Sequence, residues 1–249
     1  MHSVFICHTL TNTIIVDMNF FLNVIRDISV IMYPDHCPSC KQNSKLENHQ
    51  LCFNCISDLP FTDHFNSRHN NAFMKFLGRQ KLVHAWALFN MTIPGPTHQI
   101  IQAFKYQNNT QLGSWCGELL GEKISKMIDC KSIDWLIPVP IHKTKRSTRG
   151  YNQTEIIAEA ISSKTGIPVR TDLLSKSLNN NSQTSMSRGQ RIENTLDSFK
   201  LLNSKIQDCH LLLIDDVLTT GATLEACMIL LRKIPHVRIS IAIIAMTKT

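Results

Sequence analysis

The sequence predicts an α/β fold, with a mainly parallel sheet flanked by helices, preceded by a small module held together by four cysteines. Three observations carry this reading. From residue 84 onward, apolar strand-like runs alternate with helix-like ones, the signature of parallel strands joined by helical crossovers. Two Cys-x-x-Cys knuckles, Cys37–Cys40 and Cys52–Cys55, stand eleven residues apart in a stretch too polar to build its own core. Finally, LLLI (211–214) runs into two aspartates and then a threonine-glycine turn, which is how an open α/β sheet ends a strand at a ligand.

The chain has 249 residues, enough for one large domain or two smaller ones. Hydrophobic residues make up 43% and charged residues 18%, which fits a globular protein rather than a disordered one. A formal net charge of +7 favours anionic partners such as phosphates or nucleic acid. No stretch approaches the roughly 20 apolar residues of a membrane span. Residues 1–17 carry no Lys or Arg and lack a clean apolar run, so they read as an N-terminal extension rather than a secretory signal. Translation starting at Met18 is the alternative start. Phe21, Val24, Ile25, Ile28 and Met32 recur at helical spacing over 18–33. The expected division is an extension at 1–17, a helix and cysteine module at 18–62, and an α/β domain at 63–249.

Each further element follows in order. HAWALFNMTI (84–93) reads as a strand and PGP (94–96) as a turn, followed by helices at 97–106 and 110–129. WLIPVP (135–140) reads as a buried strand closed by prolines, and HKTKRSTRG (142–150) as a basic loop. In 152–168 a helix starts at Asn152 as cap, with Glu155 as capping-box partner. Its apolar face is Ile156, Ile157, Ala160 and Ile161, and Gly166 and Pro168 end it. A short strand is expected near 168–173, then a polar loop at 175–190 long enough to act as a lid. A strand at 210–215, a helix at 222–233 and a strand at 237–246 complete the chain.

The knuckle spacing is that of a structural zinc site, with Cys37, Cys40, Cys52 and Cys55 as ligands and His36 and His49 as nearby surface groups. Disulfides and a redox pair are the competing readings. Cys7, Cys116, Cys130, Cys209 and Cys227 are scattered in apolar surroundings, which suits reduced thiols in the cytoplasm.

At the end of LLLI, a glycine-containing turn opening a helix offers free N–H groups and the positive end of a dipole to an anion. Leu218, Thr219, Thr220, Gly221, Ala222 and Thr223 form this phosphate cradle, and the Walker pattern is absent. Asp215 and Asp216 need a hydroxylic partner beside that anion. Acids for a sugar and a cradle for its phosphate describe a ribose 5-phosphate site. The string resembles the phosphoribosyl pyrophosphate (PRPP) signature of type I phosphoribosyltransferases.

IPVPIHKTKRSTRGYNQTEIIAEAI (137–161), QTSMSRGQRIENTLDSF (183–199) and IIQAFKY (100–106) narrow the resemblance to the competence protein F (ComF) family, with its GntX-like members. The cysteine cluster fits the same family. The resemblance covers roughly residues 18–246. Lys176 stands where an arginine is usual, and a second cysteine cluster of some members is absent.

The resemblance implies a type I phosphoribosyltransferase-like domain with an N-terminal zinc module. It also implies PRPP with magnesium as ligand, Asp215 and Asp216 as catalytic acids, and the 218–223 turn on the 5-phosphate. Lys105, Arg146, Arg149, Lys176 and Arg188 are the candidate cationic contacts, Arg146 and Arg149 foremost because a guanidinium grips phosphate bidentately. Transfer of the phosphoribosyl group with release of pyrophosphate is the activity implied. The alternative is a non-catalytic protein that binds PRPP or single-stranded DNA, as an accessory of the DNA-uptake machinery in transformation.

Overall fold

The computed structural model describes residues 36–42, 50–127, 131–177, 195–202 and 205–247. The expectations for the extension at 1–17, the helix at 18–33, His49, Cys7, Cys130 and Arg188 lie outside the described residues. So does the body of the 175–190 loop. The chain divides into two compact units, 1–56 and 57–249.

In the second unit, β1 (Ala85–Met91), β2 (Trp135–Pro138), β5 (His210–Leu218) and β6 (Arg238–Thr247) form one sheet in the order β1-β6-β5-β2. Every pairing is parallel. All four carboxyl ends therefore open on one edge. Pro138 cannot donate to a ladder, and it sits in β2, the outer strand of the four. The strand expected at 168–173 is reduced to one bridge, Leu136 with Val169. The chain instead forms β3 (Leu174–Lys176), paired antiparallel with β4 (Phe199–Leu201). Ser175 and Lys176, expected at the start of a loop, are thus strand residues.

Strand β5 is buried on both faces from His210 to Ile214. Leu211 and Leu213 share a core with Ile137, Ile241, Ile243 and helix α7 (Ala222–Leu231). The alternate residues Leu212 and Ile214 face the other side, where helix α6 (Gln153–Thr165) packs on β2 and β5. The remaining helices are the short turns α1 (Phe53–Ser57) and α2 (Asn71–Met74), then α3 (Pro96–Tyr106), α4 (Thr110–Ser125) and α5 (Lys143–Arg149).

Helix α6 begins as the sequence indicates, with one change. Asn152 accepts from the Thr154 amide, while the Glu155 carboxylate turns to Arg146 and the Asn152 side chain instead of closing a capping box. Ile157, Ala160 and Ile161 are buried as expected, Ile156 is only half-buried, and Ala158 joins the buried face. Gly166 ends the helix in the left-handed conformation, φ 73°.

Helix α4 carries a stripe, Gly113, Gly117 and Gly121, that the sequence reading passed over. A Cβ at Gly117 would lie 2.7 Å from the Ala160 Cβ and 2.8 Å from the Ile157 carbonyl oxygen. Only hydrogen at this position lets α4 and α6 lie flush.

Candidate functional site

The site grows from the carboxyl end of β5. Asp215 and Asp216 were expected just beyond the strand, but the strand continues past them to Leu218, with Asp215 opposite Ile243 and Val217 opposite Ala245 in register. The sheet ladder therefore fixes the backbone beneath both acids. The Asp215 carboxylate accepts a hydrogen bond from the Asp216 amide at 2.9 Å. Burial, and then the neighbouring Asp216 charge, push the Asp215 carboxyl up to about 7, against the pull of that amide, Lys105 and Lys176. Asp216 pairs with Lys105 from the end of α3, Nζ to Oδ1 2.9 Å.

Beyond the acids the chain turns through Leu218 to Thr223. Leu218 is buried, Thr219 and Thr220 are exposed, and Gly221 has φ 83°. The turn encloses a small concavity of about 30 Å³, lined by Asp215 and residues 217–224. Gly221, the N-cap of α7, has no side chain to cap it; the Thr220 hydroxyl accepts from the Ala222 amide at 3.4 Å, and Ala222, Thr223 and Leu224 of the first turn line the concavity. A Cβ on Gly221 would lie 2.9 Å from the Phe76 ring, so glycine is required both by its left-handed backbone and by Phe76 packed behind it. Lys75 donates to the Thr219 carbonyl at 3.0 Å and steadies the turn from α2.

The basic segment after β2 is a helix rather than a loop. His142 caps α5 by accepting from the Thr144 amide, and Gly150 closes it with φ 82°. Helical winding separates the candidate arginines. Lys145, Thr148 and Arg149 share one face. With Lys105, Tyr106, Asn108 and Thr144 they line a cleft of about 590 Å³. The Arg149 guanidinium lies over the Tyr106 ring, 5.4 Å from its centre. Arg146 does not line this cleft; it points to Glu155, 2.8 Å away.

Lys105 belongs both to the cleft and to the Asp216 ion pair, so it joins the acids to the basic face. Lys176 lies over the Phe199 ring at 4.6 Å. Burial pushes its ammonium down, and Asp215 works against that shift. The structure thus brings together Asp215, Asp216, the 218–223 turn, Lys105 and Lys176, with Arg149 across the cleft. Tyr106 and Asn108 were missed as lining residues, and Lys145 was read only as one cation of the basic segment. Reading 143–149 as helical would have put Lys145 and Arg149 on one face at spacing i, i+4.

In the first unit the four cysteine sulfurs lie within 4.8 Å of one another. A tetrahedron with metal–sulfur bonds of about 2.3 Å has edges of roughly 3.8 Å. The Cys40–Cys52 separation is 3.7 Å, which suits such an edge and is far too long for a disulfide. Burial raises the Cys37 thiol, but amides of Cys52, Cys40 and Ser39 bring it down to about 7. Burial and the other thiols push Cys55 up to about 12. A bound cation is what would let all four thiols ionise together. His36 is exposed, and His64 is buried in the second unit, where its Nδ1 accepts from the Ala87 amide at 3.2 Å. Cys116, Cys209 and Cys227 are buried free thiols.

The phosphoribosyl transferase domain family matches residues 153–248, from α6 through the cradle to β6. Competence protein F of Haemophilus influenzae is 28% identical over 210 residues, covering 80% of this chain and 91% of that protein. Over most of its length the chain resembles the competence protein F family. Competence protein ComFC of Bacillus subtilis is 26% identical over 127 residues, 51% of this chain and 50% of that one. The DNA utilization protein YhgH of Escherichia coli is 23% identical over 141 residues, 55% of this chain and 62% of that one. The chain thus spans about half the length of the Bacillus member. Among the described residues no helix is long and apolar enough to cross a membrane.

Proposed function

We propose that the protein binds PRPP with magnesium at the carboxyl end of β5 and transfers its phosphoribosyl group to an acceptor. The observation that carries this reading is the Asp216–Lys105 ion pair, which joins a sugar-binding acid pair and a phosphate cradle to a basic cleft. The 218–223 turn holds the 5-phosphate by its amides and threonine hydroxyls. Asp215 and Asp216 accept hydrogen bonds from the ribose hydroxyls. Arg149, with Lys145 and Lys105, takes the pyrophosphate, and Lys176 stands beside the acids. Arg146 reaches the ligand only by leaving Glu155.

Magnesium, held largely by PRPP itself and by water, would neutralise negative charge on the pyrophosphate leaving group. In the transfer, the acceptor atom bonds to C1 as the C1–oxygen bond to pyrophosphate breaks. Pyrophosphate keeps the bonding electron pair, and the acceptor's proton passes to solvent. The protein's part is positioning and charge stabilisation rather than covalent attack. Calorimetry with PRPP, ribose 5-phosphate and pyrophosphate tests the reading. All three should bind, the two fragments more weakly, and a chain that binds none of them contradicts it.

Zinc, one ion per chain on Cys37, Cys40, Cys52 and Cys55, organises the first unit in this reading, supported by the sulfur geometry. Metal analysis should return about one zinc, lost in Cys52→Ser. Because metal binding in such small modules contributes on the order of 10 kcal/mol, chelation should unfold that unit.

A second reading, single-stranded DNA binding without turnover, draws support from Tyr106, 70% exposed at the rim of the basic cleft, where one base could stack. The names of the relatives, competence and DNA utilization, agree with it. Pyrophosphate release separates the two: turnover supports transfer, and strand binding with no turnover supports the second reading.

A further inference from the structure

The cradle has a backing drawn from a distant part of the chain. Residues 75–81, beginning at the C-cap of α2, lie along α7. Phe76 is fully buried behind Gly221, its ring 2.9 Å from where a Cβ would stand. Three residues on, the Arg79 guanidinium pairs with the Glu225 carboxylate in the first turn of α7. At the far end of the helix, Arg232 donates to the Gln80 side chain at 3.2 Å and to the Lys81 carbonyl. Partners therefore advance from 221 to 232 as the segment advances from 76 to 81. The segment is a strap laid lengthwise on the helix.

The strap presents Arg79 in one position. The Arg79 and Gln80 amides donate to the Phe76 carbonyl at 3.0 and 2.9 Å, so the turn is wound on the residue that backs Gly221. The guanidinium lies over the Phe76 ring, 5.6 Å from its centre. Ring and carboxylate thus hold Arg79 from two sides.

Glu225 is a costly residue where it stands. Its side chain is 7% exposed, and residues 222–224, immediately before it, line the concavity. A carboxylate in a first helical turn draws on the positive end of the dipole, the same field that holds an incoming anion. Left unpaired, it would also repel a phosphate through a wall that water screens poorly. Among the described residues its one ion-pair partner is Arg79. The pair is neutral as a unit, which leaves the field of the helix end to an outside anion. Arg79 itself does not line the concavity.

Resting on the reading of the 218–223 turn as a phosphate cradle, we propose that Arg79 is a positioning residue for the 5-phosphate. It acts through Glu225, cancelling a charge that would otherwise oppose the ligand from behind the cradle. Fastening of the strap involves both partners equally. The ligand senses only whether Glu225 is left charged and alone.

That asymmetry is the test. Ribose 5-phosphate is titrated calorimetrically into the full chain and its variants, with thermal unfolding alongside. Arg79→Ala should weaken ribose 5-phosphate by about fivefold or more, because a buried carboxylate is left uncompensated. Arg79→Lys keeps the charge and should stay within about twofold of the parent. Glu225→Gln should bind at least as tightly as the parent. Arg79→Ala combined with Glu225→Gln should return to within about twofold of it, although neither of these last two variants retains the ion pair. A role confined to fastening α7 would make all three pair-breaking variants weak together. If Arg79→Ala does not fold, Glu225→Gln decides alone: weaker binding overturns the proposal, and binding as tight as the parent's supports it. The assignment also falls if Arg79→Ala binds like the parent, or if the double variant stays as weak as the single one. In each of these cases the parent still binds ribose 5-phosphate, and the phosphate reading stands. If the parent binds neither ribose 5-phosphate nor PRPP, that reading falls and takes this one with it.

Discussion

The β5–α7 cradle and the basic cleft face one proposed ligand, yet the chain builds them by opposite routes. The cradle comes from thirteen consecutive residues, 211–223, whose geometry is set by the sheet register and by one left-handed glycine. The cleft is assembled from α3 and α5, two helices distant in sequence, and its cations are placed by long side chains. A site written in backbone fails abruptly when its backbone is altered. One written in long side chains weakens by degrees, because each cation contributes separately and can reorient.

Four variants sharpen this contrast, from the largest expected effect to the smallest. Gly221→Val forces a β-branched residue to φ 83° and drives its Cβ into Phe76. Backbone strain and overpacking together should cost about 2–5 kcal/mol of stability and abolish PRPP binding, as read by thermal unfolding and calorimetry. Asp215→Asn with Asp216→Asn keeps the backbone and removes two charged acceptors worth roughly 1.5–3 kcal/mol each. PRPP affinity should fall about 10- to 100-fold or more. Melting temperature should barely change, since relief of the carboxylate repulsion offsets the lost Lys105 pair. A double variant binding PRPP like the parent would end the phosphoribosyltransferase reading.

Arg149→Ala should weaken pyrophosphate by about tenfold and spare ribose 5-phosphate, one charge-assisted contact being removed. Equal losses for both fragments would mean that the cleft does not divide the ligand in this way. Arg146→Ala should change neither by more than about twofold, because its guanidinium is held by Glu155.

The cradle also carries a pH response. Asp215 titrates in the folded protein at about 7, above its ordinary carboxylate value near 3.8. The folded state therefore holds this proton more tightly than the unfolded one. Its contribution to stability is fully present below about pH 4, is lost as pH rises toward 7, and is constant above that. Asp215→Asn should flatten that part of the stability profile, measured as the difference from the parent in denaturant midpoints between pH 5 and 8. Identical profiles would place Asp215 in a more solvated setting.

What could be read from the sequence followed the same division. LLLIDDVLTTGAT states its own geometry, because the acids, the turn and the helix start are covalent neighbours. The cysteine knuckles are equally local. Lys105 could be named from IIQAFKY, but nothing in that string reveals that its ammonium reaches Asp216. Arg146 looked the equal of Arg149 because the segment reads as a polar loop. Only the helix, two turns long and capped by His142, sends them to different partners. The β3–β4 pair escaped notice for a related reason: three-residue strands have too few alternations to show a period. The place of His64 in the core is not legible in its neighbours, because the amide it accepts from, on Ala87, lies 23 residues away.

The glycine stripe of α4 has a mechanical consequence for the cleft. Gly117 meets α6 at Ile157, four residues beyond Gln153, or roughly 6–8 Å along an axis rising 1.5 Å per residue from the Asn152 cap. Asn152 and Thr154 both grip the Val139 carbonyl, at 3.2 and 2.6 Å, and the whole of α5 is slung between Val139 and Asn152. Helix α6 thus acts as a beam with α4 as its fulcrum. A single methyl at Gly117 would lift the beam and tilt the sling that carries Lys145 and Arg149. The cleft is exposed in this way to sequence change on a helix that contributes none of its lining residues.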